Sequence, residues 1–206
     1  GLYEYWACYY PNFPRKTTFI PFPIRSYAHT ADISYAIPQK IKLFIGINKL
    51  RSEYKGTDIM LKAAQAIAEK YPEKVELRVA ESLPFKQYVE MMNGSDAILD
   101  QLYSYTPSMN PLEAMARGII CIGGGEPENY EIIHETQLKP ILNVLPTYES
   151  VYQQLEQLVL HPERIPQLKK ESIEYINKHH DYMKVAKKYE EYYKDTLCCQ
   201  SEETRL

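Results

Sequence analysis

No apolar run in the 206 residues approaches the roughly 20 needed to cross a bilayer, and no signal-peptide pattern opens the chain. Basic charge is also short. The 24 Lys and Arg face 27 Asp and Glu, for a net charge of −3. With no basic face to neutralise phosphates, nucleic acid is excluded as a partner. The four cysteines, Cys8, Cys121, Cys198 and Cys199, lack the spacing of a zinc site, and a reduced, cytoplasmic protein is expected. There is no Walker loop and no GxGxxG fingerprint. No Ser/His/Asp or Cys/His constellation can be read from the spacing, so no catalytic nucleophile is assigned. His134 and His161 stand alone, and His179-His180 reads as an exposed surface pair rather than a metal site.

What is present is a balanced composition, 45% hydrophobic and 25% charged, which suits one globular domain with extensions. The chain begins with Gly1 and runs at once into Tyr3, Tyr5, Trp6, Tyr9 and Tyr10. A glycine left by a cleaved tag, on a piece of a longer protein, is the expectation here. Thr17–Ile20 looks like a short edge strand stopped by Pro21 and Pro23, since proline offers no amide donor. Residues 25–40, polar and broken by Pro38, read as a linker.

From residue 41 the pattern becomes regular. Strands are expected at 41–47, 75–79, 97–102, 119–122 and 140–145. Helices are expected at 57–71, 84–93, 111–117, 129–135, 148–160, 166–177 and 181–197, with a flexible tail over 198–206. Alternation with short connections is the signature of an α/β fold with an open, Rossmann-like, doubly wound parallel sheet. Such sheets bind ligands outside the carboxyl ends of their strands, which points to loops 46–57, 80–85, 102–111 and 123–130.

In the first of these loops Arg51 and Lys55 flank a helix start, with Gly56 at the turn and Thr57 or Asp58 able to cap. Two cations beside a helix amino end suit an anion, while a solvated basic loop remains the plain alternative. In the third loop Asn110, Pro111 and Gly118 read as cap, first helical residue and stop. Glu113 then falls where it closes a capping box, or where it accepts hydrogen bonds from ribose hydroxyls. Gly123-Gly124-Gly125, followed by Glu126, Glu128 and Glu131, suits sugar hydroxyls or a plain tight turn better than a phosphate.

The runs KLFIGINKLRSEYKGTD, YVEMMNGSDAILDQL and PSMNPLEAMARGIICIGGGEPENYEII resemble the C-terminal domain of group 1 glycosyltransferases, the retaining GT-B enzymes of family 4. The likeness covers roughly residues 41–197 and includes a closing helix, HDYMKVAKKYEEYYKD. It implies a domain that binds a nucleotide diphosphate-sugar, with Lys55 and Arg51 on the diphosphate and Glu113 on the ribose. It further implies a base loop near Glu81, Ser82 and Leu83, with base contacts largely from backbone. In the family's Glu-x7-Glu motif the first Glu lies against the donor sugar. That position falls on Tyr105 here, which leaves Ser108, Met109 and Asn110 as the donor-sugar loop.

The resemblance implies transfer of a sugar to a hydroxyl acceptor without a metal or other cofactor. An N-terminal acceptor domain, of which residues 1–24 would be the tail, would complete the enzyme, and the present chain alone would be inactive. Peripheral membrane association is expected only of a full-length protein. A stripe of Tyr182, Val185, Tyr189 and Tyr192 then faces either the aromatic N-terminal stretch or the other domain. The alternatives are a nucleotide-sugar epimerase of the same fold and a degenerate GT-B domain kept as a binding module. A receiver-like regulator is a third, with Asp96 and Asp100 as a poor acidic cluster.

Overall fold

The computed structural model describes residues 1–25 and 33–203, with 197–203 as backbone. Part of the expected linker, 26–32, therefore lies outside the described residues, as does the end of the expected tail. Helical backbone continues to Glu203, through the part of that tail which is described.

The sheet is built around β1 (Ile41–Ile47), whose Leu43, Phe44 and Ile45 are all fully buried. An apolar run with no polar face belongs in the middle of a parallel sheet covered on both sides. It pairs in parallel with β2 (Val75–Glu81) on one side and β3 (Ala97–Leu99) on the other. β4 (Ile120–Ile122) pairs with β3, giving the order β2-β1-β3-β4 among the described residues. The expected fifth strand is reduced to one parallel bridge, Ile122 to Leu142. Pro140 and Pro146 bracket that stretch and leave it little room to extend a ladder.

Parallel strands need crossover connections, which the helices supply. On one face α3 (Thr57–Lys70) and α7 (Tyr148–Leu160) pack Met60, Ala64, Ile67 and Leu155 against Leu43, Ile45 and Leu99. On the other face α4 (Phe85–Met92) and α5 (Met109–Met115) cover Phe44 and Ile98 with Met92 and Ala114. Burying each large apolar side chain contributes about 1.5–3 kcal/mol, so these two faces hold the sheet rigid. α8 (Ile165–Tyr175) adds a second cluster in which Tyr175, Leu112, Met115 and Ile24 meet.

The last helix, α9 (Tyr182–Glu203), follows a π-helical turn at Ile176–His180. This turn corrects the reading of His179-His180 as a surface pair: both rings are buried, 9% and 6% exposed. The wide turn rolls them inward, against Tyr175. His179 meets Glu135 at 2.6 Å, and His180 Nδ1 meets the Phe22 carbonyl at 3.0 Å. The connector is bound here as well, with Ile24 donating to the His180 carbonyl at 2.7 Å.

At the other end of the chain, α1 (Tyr3–Tyr9) stands where no element was expected. Tyr5, Trp6 and Tyr9 share a hollow with Tyr189 and Tyr192, and the Tyr192 hydroxyl reaches the Lys16 carbonyl at 3.2 Å. Part of the tyrosine stripe thus packs on the N-terminal stretch, whereas Val185 is wholly buried.

Candidate functional site

With β1 between β2 and β3, the chain's connections diverge to either side of β1, and the crevice of an open α/β sheet lies at that switch point. The loops after β1 and β3 meet there. Lys55 ends the short helix α2 (Ser52–Lys55), and Gly56 turns the chain with φ +69°. A side chain at Gly56 would place its Cβ 2.7 Å from Leu102 Cβ, so only glycine lets the two loops close together. The Leu102 amide donates to the Lys55 carbonyl at 2.8 Å and fixes that approach.

Lys55 Nζ lies 3.3 Å from both carboxylate oxygens of Asp100. The lysine side chain is 25% exposed and that of Asp100 only 4%. Asp100 also accepts from Ser108 Oγ at 3.1 Å and from Asn110 Nδ2 at 2.9 Å. The Asn110 amide further meets the Tyr88 hydroxyl at 2.7 Å. Burial pushes that phenol up to about 12, so it stays protonated at neutral pH. Tyr88 lies over Gly46, whose missing side chain makes space for the ring. One buried carboxylate after β3 therefore gathers groups from α2 and from the start of α5, and Asn110 extends the network to Tyr88 on α4.

Several sequence readings change at this point. Asn110 does not cap α5; Ser108 holds the cap position and turns its hydroxyl to Asp100 instead of to an amide. A buried carboxylate is a stronger acceptor to satisfy than a terminal amide exposed to water is a donor. Glu113 consequently closes no capping box with Asn110. It lies one turn before Arg117, its carboxylate 3.8 Å from the guanidinium. Glu113 also lines a hollow of about 590 Å³ between α4 and α5, with Phe85, Val89, Met109 and Asn110.

Arg51 ends the 3-10 turn Lys49–Arg51 and is exposed. Among the described residues no hydrogen bond or ion pair ties it to the Asp100 network. Lys49 reaches across to Glu81 at 3.1 Å, joining the first loop to the end of β2. In the neighbouring loop Ser82 sits at φ 50°, a left-handed conformation unusual for a residue with a side chain. Leu83 is partly exposed beside it.

Tyr105 holds the position to which the resemblance assigns a glutamate. Its amide donates to Glu4 Oε1 at 2.7 Å, and its ring lies 5.4 Å from that of Tyr3. The carboxylate at this loop thus comes from α1, where sequence spacing gave no signal. In the fourth loop, Gly123 and Gly124 adopt φ +96° and +73°. A Cβ on Gly124 would stand 3.1 Å from the backbone of Pro107. The glycines thus serve close packing of the third and fourth loops.

Asp96 and Asp100 lie at opposite ends of β3, so they form no acidic cluster and the receiver-like alternative falls. Asp96 is paired instead with Lys169 at 2.6 Å, both side chains buried. No group of three or more His, Cys, Asp or Glu residues able to hold a metal occurs among the described residues. No helix there is long and apolar enough to cross a membrane.

Neither a protein-family model nor a curated protein sequence matches the chain. Solved structures do. TarM of S. aureus, crystallised as a mutant with UDP, superposes with a TM-score of 0.58 at 10% identity, over 82% of this chain and 38% of that one. A glycosyltransferase from Rickettsia africae gives 0.55 at 15% identity, over 86% of this chain and 56% of that one. The pneumococcal O-GlcNAc transferase GtfA, in complex with UDP and GlcNAc, gives 0.57 at 12% identity, over 86% and 38%. The fold is that of a C-terminal GT-B domain. The chain spans 38 to 56% of the length of these three proteins. At such low identity the likeness concerns the fold, and the function of the site has to be argued from its residues.

Proposed function

We propose that this chain is the donor-binding half of a retaining glycosyltransferase, moving a sugar from a nucleotide diphosphate-sugar to a hydroxyl acceptor. The observation that supports the reading is the network at the switch point, in which Asn110 links the Lys55–Asp100 pair to the hollow between α4 and α5. A partly exposed lysine stands at the end of the first loop, and Glu113 lines the hollow between α4 and α5. In this reading Lys55 takes the diphosphate, and Arg51, on the exposed turn beside it, adds a second cation. The amino end of α3 adds partial positive charge, so stabilisation of the leaving group needs no metal. Glu113 accepts from the ribose, the 81–83 loop borders the base, and Ser108, Met109 and Asn110 border the sugar. TarM and GtfA were both crystallised with UDP, which makes a uridine nucleotide the first ligand to try.

A second reading, a binding module without transfer activity, draws on Tyr105. No carboxylate is available from that position, and its ring packs on Tyr3. The test begins with a thermal-shift and ligand-observed NMR screen of UDP, GDP, ADP and dTDP and their sugars. At least one should bind below millimolar concentration, and Lys55→Ala should weaken it about tenfold, the effect of one charge-assisted contact. If none binds in that range, the donor-site reading fails. Labelled donors supplied to a longer protein carrying both domains would then separate transferase from binding module.

A further inference from the structure

Lys55 does not wait for its ligand alone. Its ammonium sits equally far, 3.3 Å, from both oxygens of a carboxylate that is almost wholly buried. Charge-assisted contacts at their best close to about 2.7–2.9 Å, so this pair is loose. The carboxylate itself is not loose. Asn110 and Ser108 hold it at 2.9 and 3.1 Å, directly after the end of β3, an inner strand of the sheet. Asp100 is therefore fixed, while Lys55 is a flexible stem with rotatable donors and an exposed side. The spacing of the two residues along the chain gives no hint of this arrangement.

We infer that Asp100 is a counter-ion that limits the grip of the site on a diphosphate, so that the lysine can exchange between the carboxylate and the phosphates. The inference rests on the donor-site reading and adds a regulator to it. In the empty site the lysine charge is already balanced. An incoming diphosphate must share the ammonium with Asp100, and its own negative charge is opposed by the carboxylate. When the sugar has left, the lysine has a partner to return to, which favours release of the nucleoside diphosphate. Product release is the slow step in many enzymes, so a built-in competitor for the cation has a catalytic use. A carboxylate that merely braced the loops would have the opposite consequence, because its loss would loosen the site and weaken binding.

That difference in sign is the test. The 206-residue chain is titrated by calorimetry with UDP, GDP, ADP and dTDP. The tightest of these, and its parent nucleoside, are then measured on wild type, Asp100→Asn, Lys55→Met and the double variant. Asp100→Asn should bind the nucleoside diphosphate roughly tenfold tighter, the scale set by one unit charge a few ångström away in a partly wet site. Affinity for the nucleoside should not change, and the gain should vanish in the Lys55→Met background. Unchanged or weaker diphosphate binding by folded Asp100→Asn overturns the proposal, as does an equal gain without Lys55. If the amide variant does not fold, Asp100→Ser makes the same charge change with a smaller side chain and carries the same expectation. Should wild type bind none of the four, the donor-site reading fails and the counter-ion falls with it. Should wild type bind and the neutral variants show no gain, the counter-ion alone falls.

Discussion

Gly46→Ala is the most exacting test of how the rim of the site is packed. A Cβ built on Gly46 would stand 2.5 Å from Tyr88 Cε2 and 2.6 Å from its hydroxyl oxygen. Carbon atoms in contact prefer about 3.5–4.0 Å, so the ring would have to retreat by about 1 Å. Phe44 stands edge-on to it, with centroids 5.1 Å apart, and is itself fully buried, so retreat in that direction is closed. The remaining exit is toward the hollow between α4 and α5, which Tyr88 also lines. Moving there stretches the 2.7 Å contact with Asn110. Overpacking of this kind costs about 1–3 kcal/mol and the lost hydrogen bond about 0.5–1.5. Alanine's smaller loss of backbone freedom returns about 0.5–1 kcal/mol. A net destabilisation of about 2 kcal/mol is expected in urea unfolding. In a Tyr88→Ala background the same change should be neutral or slightly stabilising, since the obstacle is gone. Tyr88→Phe, which keeps the ring and removes only the hydroxyl, isolates the hydrogen-bond share. Equal stability of Gly46→Ala and wild type, with Tyr88 present, would refute the packing argument.

Three further outcomes follow from buried groups. Lys169→Met strands the Asp96 carboxylate, whose lysine contact is 2.6 Å and whose side chain is 7% exposed; chemical unfolding should show a loss of about 3–5 kcal/mol, largely recovered by adding Asp96→Asn. Burial holds the His180 imidazole down at about 3, below the roughly 6.5 of an unfolded chain, so the unfolded state takes up the proton first as pH falls. Stability from this group is complete above pH 6.5 and should fall by about 2 kcal/mol between pH 7 and pH 5, a slope that His180→Gln should reduce; an unchanged slope in the variant would count against it. Gly124→Ala, at φ +73° and 3.1 Å from Pro107, should destabilise by about 1–2 kcal/mol, detectable as a lower melting temperature, whereas the same change at solvent-facing Gly94 should cost only its backbone strain.

The sheet was readable because periodicity and punctuation are local. Ile41–Ile47 is apolar apart from Lys42, Thr57–Lys70 has helical spacing, and loop glycines mark the turns. The place of Lys55 followed from the same alternation. What it touches did not, because Asp100 is 45 residues away and only the pairing of β1 with β3 brings them together. Asn110 was misread for a related reason. A cap is a local motif, and a buried acceptor supplied by another strand outcompeted it. His179 and His180 look polar in sequence, yet the π-helical turn that buries them depends on Glu135 and Phe22 from distant segments. The aromatic N-terminal stretch forms a helix because Tyr105 and Ser104 offer Glu4 two donors at the loop where it lands.

The clasp between the connector and the start of α9 has a mechanical meaning. Ile24 donates to the His180 carbonyl, and the Tyr182 amide returns a bond to Ile24 at 3.1 Å, so two segments far apart in sequence share one bridge. A pull applied to the chain ahead of Phe22 would load that bridge and the π-helical turn in shear before it reached any strand of the sheet. The turn would then act as a fuse, opening while the strands of the sheet keep their register.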